Sequence, residues 1–108
     1  MGPKLDLVEE YYVPADEEHI AQEKNKAKEL RRSQWWKNRR ASGRCHYCQD
    51  AFAPRELTMD HVVPLSRGGR TAKSNVVPCC KECNNQKQDL LPLEWDDYLE
   101  RLSRADDT

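Results

Sequence analysis

The sequence predicts a small α+β domain, two short strands and a helix closed by a four-cysteine metal site and set between a long N-terminal helix and a C-terminal helix. Three observations carry that expectation. Two Cys-x-x-Cys pairs, Cys45/Cys48 and Cys80/Cys83, bracket an insertion of 31 residues. Strand-forming residues gather inside the insertion, at Thr58, Val62 and Val63 and again at Val76-Val77. Helix-type signals stand on both sides of it.

The 108 residues suffice for one domain. Only 37% are hydrophobic and the mean hydropathy is -1.03, so little apolar surface is available for burial. A fold of this kind needs a staple, and the five cysteines supply one. An odd count argues against a pure disulfide framework and for metal ligation. The N-terminus lacks a basic start followed by an apolar run, and no stretch approaches the ~20 apolar residues of a membrane span. The expected compartment is the cytoplasm, where thiols stay reduced.

Taken in order, residues 1–14 read as an extended lead-in punctuated by Pro3 and Pro14. Residues 15–42 form a basic helical segment, and residues 43–108 the main domain with its C-terminal helix. Asp16, Glu17 and Glu18 suit a helix start, and Lys37, Arg39 and Arg40 suit its end. One continuous helix from about Asp16 to Arg40 follows, with Gly43 as its stop. Its apolar stripe, Ile20, Ala27, Leu30 and then Trp35 or Trp36, is thin, so the helix packs along a narrow line. One tryptophan of the pair is expected in the core.

Arg44 to Pro54 is a cysteine knuckle and loop, and Glu56 to Val63 a strand. Ser66-Arg67-Gly68-Gly69-Arg70 is a turn. Val76-Val77 is the second strand, and Cys80 to about Gln88 a helix. Pro92 opens the last helix. There Trp95, Tyr98, Leu99 and Leu102 fall on one face as core packing.

The two cysteine pairs have zinc-knuckle spacing. Each places two thiolates on one side of a tight turn, and together they complete a tetrahedron at ~2.3 Å per Zn–S bond. One structural zinc on Cys45, Cys48, Cys80 and Cys83 leaves no open coordination position, so its binding energy is folding energy. Cys79 is spare and reads as a buried or free thiol, with ligand swapping with Cys80 the other option. His46 reads as an exposed loop histidine, with replacement of a cysteine ligand the other option.

Between the knuckles stand Asp60-His61, then Asn75, and beyond Cys80 the run Cys83-Asn84-Asn85-Gln86-Lys87. On a helix, Cys80, Cys83, Asn84 and Lys87 share one face. Zinc therefore holds the helix that presents Asn84 and Lys87. Adjacent strand residues point to opposite faces, so Asp60 and His61 reach one pocket only through a twist or bulge, or if one acts from the side.

From about Arg44 to Lys87 this pattern resembles the HNH endonuclease family, in its zinc-bearing four-cysteine branch. The resemblance implies a ββα-metal (His-Me finger) core with a bent hairpin. It also implies cleavage of phosphodiester bonds in DNA. His61 would be the general base that activates water. Asp60 and Asn84 would hold one catalytic divalent metal, which stabilises the phosphorane and the leaving 3′ oxygen. Asn75 would tie the hairpin and orient His61, and Lys87 would neutralise the phosphate. One carboxylate and one amide oxygen are hard ligands, which favours Mg²⁺ or Mn²⁺.

The net charge of -1 conceals a basic middle. Glu23 to Lys87 carries fifteen Lys and Arg against six Asp and Glu, and both ends are acidic. Such clustering is an electrostatic footprint for a polyanion. The expected DNA-backbone contacts are Arg31, Arg32, Lys37, Arg39 and Arg40 on the helix, Arg67 and Arg70 on the turn, and Lys87. A competing reading is a catalytically silent, zinc-dependent nucleic-acid-binding module. A monomer would nick and a homodimer could cut both strands; the sequence leaves both open.

Overall fold

A computed structural model describes residues 15–106. The expected lead-in over residues 1–14 lies outside them. Among the described residues the chain forms four α-helices and one two-stranded antiparallel sheet. They are α1 (Glu17–Arg31), α2 (Gln34–Arg40), β1 (Thr58–His61), β2 (Val76–Cys79), α3 (Lys81–Lys87) and α4 (Pro92–Asp106). This is the expected small α+β architecture.

Asp16 caps α1 by accepting the His19 N–H at 2.8 Å, and Glu17 and Glu18 occupy the first turn. The continuous helix expected to Arg40 is corrected here: α1 ends at Arg31 and a second helix starts at Gln34. Ser33 makes the break. Its hydroxyl donates to the Leu30 carbonyl at 2.6 Å and accepts the Trp36 N–H at 3.2 Å. One side chain thus closes α1 and caps α2. The bend sends Trp36 into the core at 1% exposure. Trp35 stays half-buried, with the Lys73 ammonium 5.4 Å from its ring centre. The buried line on α1 is indeed narrow, yet it consists of Ala27 and Glu23.

The chain then turns through Gly43, whose φ of 70° suits glycine. An isolated bridge between Arg44 and Ala51 frames the first knuckle. The strand expected from Glu56 to Val63 is shorter at both ends: Pro54–Glu56 forms a 3₁₀ turn ahead of it, and β1 stops at His61, where the chain bends at Val62 and Val63. In the sheet Thr58 pairs with Cys79, Met59 with Pro78, Asp60 with Val77 and His61 with Val76. Pro78 lacks an N–H, which a two-stranded sheet tolerates. Its carbonyl accepts the His46 N–H at 2.8 Å and so ties the first knuckle to β2.

Between the strands, Gly69 is held where no side chain fits. A Cβ there would sit 1.8 Å from the Val63 carbonyl oxygen. The core beneath is small and consists largely of cysteine: Cys45, Cys79, Cys80, Cys83 and Leu57, with Tyr47 and Phe52 against it. Few aliphatic side chains are buried, as the low hydropathy implied.

The α4 stripe is only partly core. Trp95 is buried, edge-on to Tyr47 with ring centres 5.8 Å apart, and stacks on Tyr98 at 5.5 Å. Leu99 and Leu102, expected inside, are 40% and 42% exposed. Helical periodicity continues past the point where α4 has a domain surface to lie on.

Candidate metal centre and cleft

The thiols of Cys45, Cys48, Cys80 and Cys83 lie within 4.8 Å of one another and form no disulfides. A Zn–S bond of ~2.3 Å in a tetrahedron requires sulfurs about 3.8 Å apart. The Cys48–Cys80 separation of 3.9 Å matches it. Backbone N–H groups of Cys80 and Cys83 point at the Cys45 and Cys80 sulfurs at 3.4 Å. Burial pushes the Cys45 thiol up, but N–H groups from Cys48, Cys80 and Tyr47 outweigh it and bring the pKa to about 7. This is a four-thiolate site of the structural zinc type. Cys79 stands apart from it, fully buried, with its thiol on the Cys80 carbonyl at 3.3 Å. Burial raises its pKa well above the ordinary thiol range. His46 is exposed and outside the ligand set.

Between β1 and the C-terminal end of α3 lies an open cleft of about 520 Å³ lined by Met59, Asp60, His61, Asn84, Gln88 and Asp89 among others. A larger groove of about 630 Å³ runs along α3 past Phe52 and Glu56, but it contains no Asp-His pair. The Asp-His pair lines the smaller space. Three consecutive β1 residues line it. Alternation sends neighbouring side chains to opposite faces, yet all three residues border the one cleft. The four β1–β2 pairs are continuous, and no bulge is needed to bring Asp60 and His61 to one space.

Asp60 is 8% exposed. Its Oδ2 accepts the Tyr47 hydroxyl at 2.6 Å and sits 3.3 Å from the Lys87 ammonium. Among the described residues no donor occupies Oδ1. Burial, and then the bond to Asp60, raise the Tyr47 pKa far above its ordinary value, so Tyr47 remains a donor. Lys87 differs from expectation. It is 1% exposed and also donates to the His61 carbonyl at 3.3 Å, so its charge faces Asp60 rather than solvent.

His61 is half-buried, and its Nε2 lies 2.8 Å from the Thr71 hydroxyl. Burial holds its pKa below the ordinary histidine value. Asp60 pulls it up, and Arg31 adds to the depression. Burial thus favours the neutral imidazole. Asn84 is exposed on α3 and faces the same cleft.

Asn75 does not line the cleft. Its Oδ1 accepts the Val63 N–H at 2.9 Å, and its Nδ2 donates to the Val63 and Arg70 carbonyls at 3.1 and 2.8 Å. One amide thereby closes the loop between the strands. Asn75→Ala leaves these groups unpartnered and is expected to cost about 2–3 kcal/mol. Denaturant midpoints of the zinc-loaded proteins check this; equal midpoints would show that the loop closes without the amide.

Of the expected DNA contacts, Arg31, Arg32, Lys37, Arg39 and Arg70 are exposed, and Arg40 is half-buried. Arg67 is engaged with Glu94 at 3.1 Å. Sequence reasoning missed Tyr47, Thr71, Glu23 and Asp89. Tyr47 sits at the tip of the first knuckle, and nothing in its spacing points it at Asp60.

Fold and site together define a ββα unit whose helix is anchored by four thiolates and whose hairpin carries an Asp-His pair into a shared cleft. The profile of the HNH endonuclease family matches residues 45–99, just over half of the chain. The protein belongs to that family. No curated protein matches it. Among the described residues no helix is long and apolar enough to cross a membrane.

Proposed function

We propose that the protein is a metal-dependent DNA endonuclease that hydrolyses phosphodiester bonds with His61 as general base. The observation that carries this reading is that Asp60, His61 and Asn84 line one cleft, with burial holding the His61 pKa below its ordinary value. A module that only binds nucleic acid needs none of the three.

In this reading Asp60 Oδ1 and the Asn84 side-chain oxygen would hold a Mg²⁺ or Mn²⁺ ion. Both donors are hard oxygens, which fits such an ion. Once bound, the ion supplies Lewis-acid stabilisation of the charge that develops on the phosphate and the leaving 3′ oxygen. His61 accepts a proton from water as the water oxygen bonds to phosphorus and the bond to the 3′ oxygen breaks. The departing 3′ oxygen takes up a proton from solvent, so the products are a 5′-phosphate and a 3′-hydroxyl. Tyr47 and Lys87 hold Asp60 by its other oxygen, and the zinc-anchored turn of α3 holds Asn84. Lys87 acts on Asp60, not on the phosphate.

The exposed cations of α1 and α2 supply the DNA surface. The Arg31 charge at the end of α1 contributes to holding the His61 pKa down. Phosphate contacts of this kind give salt-dependent affinity without base reading. Reversing Arg31, Arg32 and Arg39 to Glu is expected to weaken DNA binding at least tenfold. The salt dependence should also flatten by about 0.9 in log-log slope for each phosphate that is no longer neutralised. Unchanged affinity and slope would remove the helices from the interface.

The reading is tested by incubating zinc-loaded protein with supercoiled plasmid and Mg²⁺ or Mn²⁺, then analysing the new ends. Nicked or linear DNA with 5′-phosphate and 3′-hydroxyl termini is expected. Intact plasmid that is still retarded on a gel would make the protein a binding module.

A further inference from the structure

His61 is not held by its own hairpin alone. Its Nε2 is 2.8 Å from Thr71 Oγ1, and that same oxygen is 2.7 Å from the Glu23 carbonyl oxygen in α1. The Glu23 side chain returns to Thr71. Its Oε1 accepts the Thr71 N–H at 2.6 Å, and its Oε2 pairs with Lys26 at 2.8 Å. Glu23 is 3% exposed although it belongs to a charged helix that buries little else. A buried carboxylate is costly unless it is bonded, and here each oxygen is.

The hydrogen count along this chain is determinate. A carbonyl oxygen only accepts, so the single Thr71 hydroxyl hydrogen points to Glu23. The Thr71 oxygen then offers a lone pair to His61, and Nε2 must carry a hydrogen. In the neutral ring the other nitrogen, Nδ1, is left as the proton acceptor. The reverse tautomer would set two acceptors, Nε2 and the Glu23 carbonyl, against one hydroxyl hydrogen.

We infer that Thr71 and Glu23 are positioning residues that keep the His61 ring hydrogen on Nε2 and reserve Nδ1 for the proton of the attacking water. This rests on the reading of His61 as the general base. It gives α1, which lies outside residues 45–99, a part in the catalytic apparatus beyond DNA contact. It also gives Asn75 a route to His61: its bond to the Arg70 carbonyl fixes the residue next to Thr71. Further backbone and side-chain bonds seat α1 on the same loop, from Ala15 N–H to the Ser66 carbonyl at 3.0 Å and between His19 Nε2 and the Gly69 carbonyl at 2.9 Å.

The test is histidine ring NMR on ¹⁵N-labelled, zinc-loaded protein, in the wild type, Thr71→Ser and Thr71→Val. The wild type and Thr71→Ser are expected to show His61 with a protected Nε2 hydrogen and an unprotonated Nδ1. Thr71→Val keeps the shape but removes the hydroxyl, and should lose that protection. Plasmid cleavage by Thr71→Val should fall about tenfold or more in kcat with KM little changed, and Thr71→Ser should restore it. A hydrogen on Nδ1 in the wild type would overturn the inference, as would an equally protected Nε2 hydrogen in Thr71→Val. If Thr71→Val does not fold, the wild-type and Thr71→Ser spectra decide. The ring spectra need no turnover, so a protein with the expected tautomer but no cleavage would refute the nuclease reading alone.

Discussion

Stripping the thiolate-bound metal is expected to unfold the domain. The buried set around Cys45, Cys80 and Cys83 includes one large aliphatic residue, Leu57, so little apolar burial remains when the four sulfurs are no longer joined. Structural zinc contributes an apparent ~10–16 kcal/mol to folding in small domains near neutral pH, comparable to the whole stability of an ordinary domain. Chelation should therefore abolish helical circular dichroism, and zinc should restore it. Native mass spectrometry should find one zinc per chain in the wild type and in Cys79→Ala, and none in Cys83→Ser. Loss of zinc from Cys79→Ala would reassign the ligand set. A chelated protein that kept its fold would make the metal incidental to stability.

Asp60→Ala is expected to harm the protein twice, and the two effects are separable. The Lys87 ammonium is 1% exposed and 3.3 Å from the Asp60 carboxylate. Removing the carboxylate leaves that charge buried with the His61 carbonyl and the Tyr47 ring, 5.7 Å from its centre, as its remaining partners. Breaking one side of such a pair costs about 3–5 kcal/mol, whereas replacing both sides with apolar groups is often close to neutral. The double variant Asp60→Ala, Lys87→Met should thus recover most of the stability that Asp60→Ala removes. It should recover none of the cleavage, because the carboxylate proposed to hold the catalytic metal is still missing. Chemical denaturation and plasmid assays on the three proteins check this. Equal stability of the single and double variants would mean that Lys87 finds another partner. Cleavage by the double variant would remove Asp60 from the metal site.

What was legible in the sequence is what local chemistry dictates. Cys-x-x-Cys spacing places two sulfurs on one turn, so the four-thiolate centre and the spare Cys79 follow from spacing alone. The β-branched pair Val76-Val77 announced β2, and Pro92 the start of α4, whereas Val62-Val63 lies just past the end of β1. The failures share a different cause. Ser33 is compatible with a helix interior or a cap, and the choice was made by the burial of Trp36. Glu23 reads as one more charge on a solvated helix, because its partner Thr71 is 48 residues away. Lys87 sits on the expected face of α3, but spacing does not reveal that Asp60 waits there at salt-bridge distance. The stripe on α4 was real as a pattern, yet Leu99 and Leu102 at its far end stay 40% and 42% exposed. Spacing along the chain names the residues of the site, and only their three-dimensional partners say which of them face one another.

The most direct test of the central claim is a parallel assay of zinc-loaded wild type and His61→Ala on supercoiled plasmid with Mg²⁺ or Mn²⁺. A positioned general base contributes about 10²–10⁴-fold, so the wild type should cleave and His61→Ala should fall by that factor with its fold and zinc content intact. Equal cleavage by the two proteins would contradict the account, because the nucleophilic water would then be activated by something other than His61.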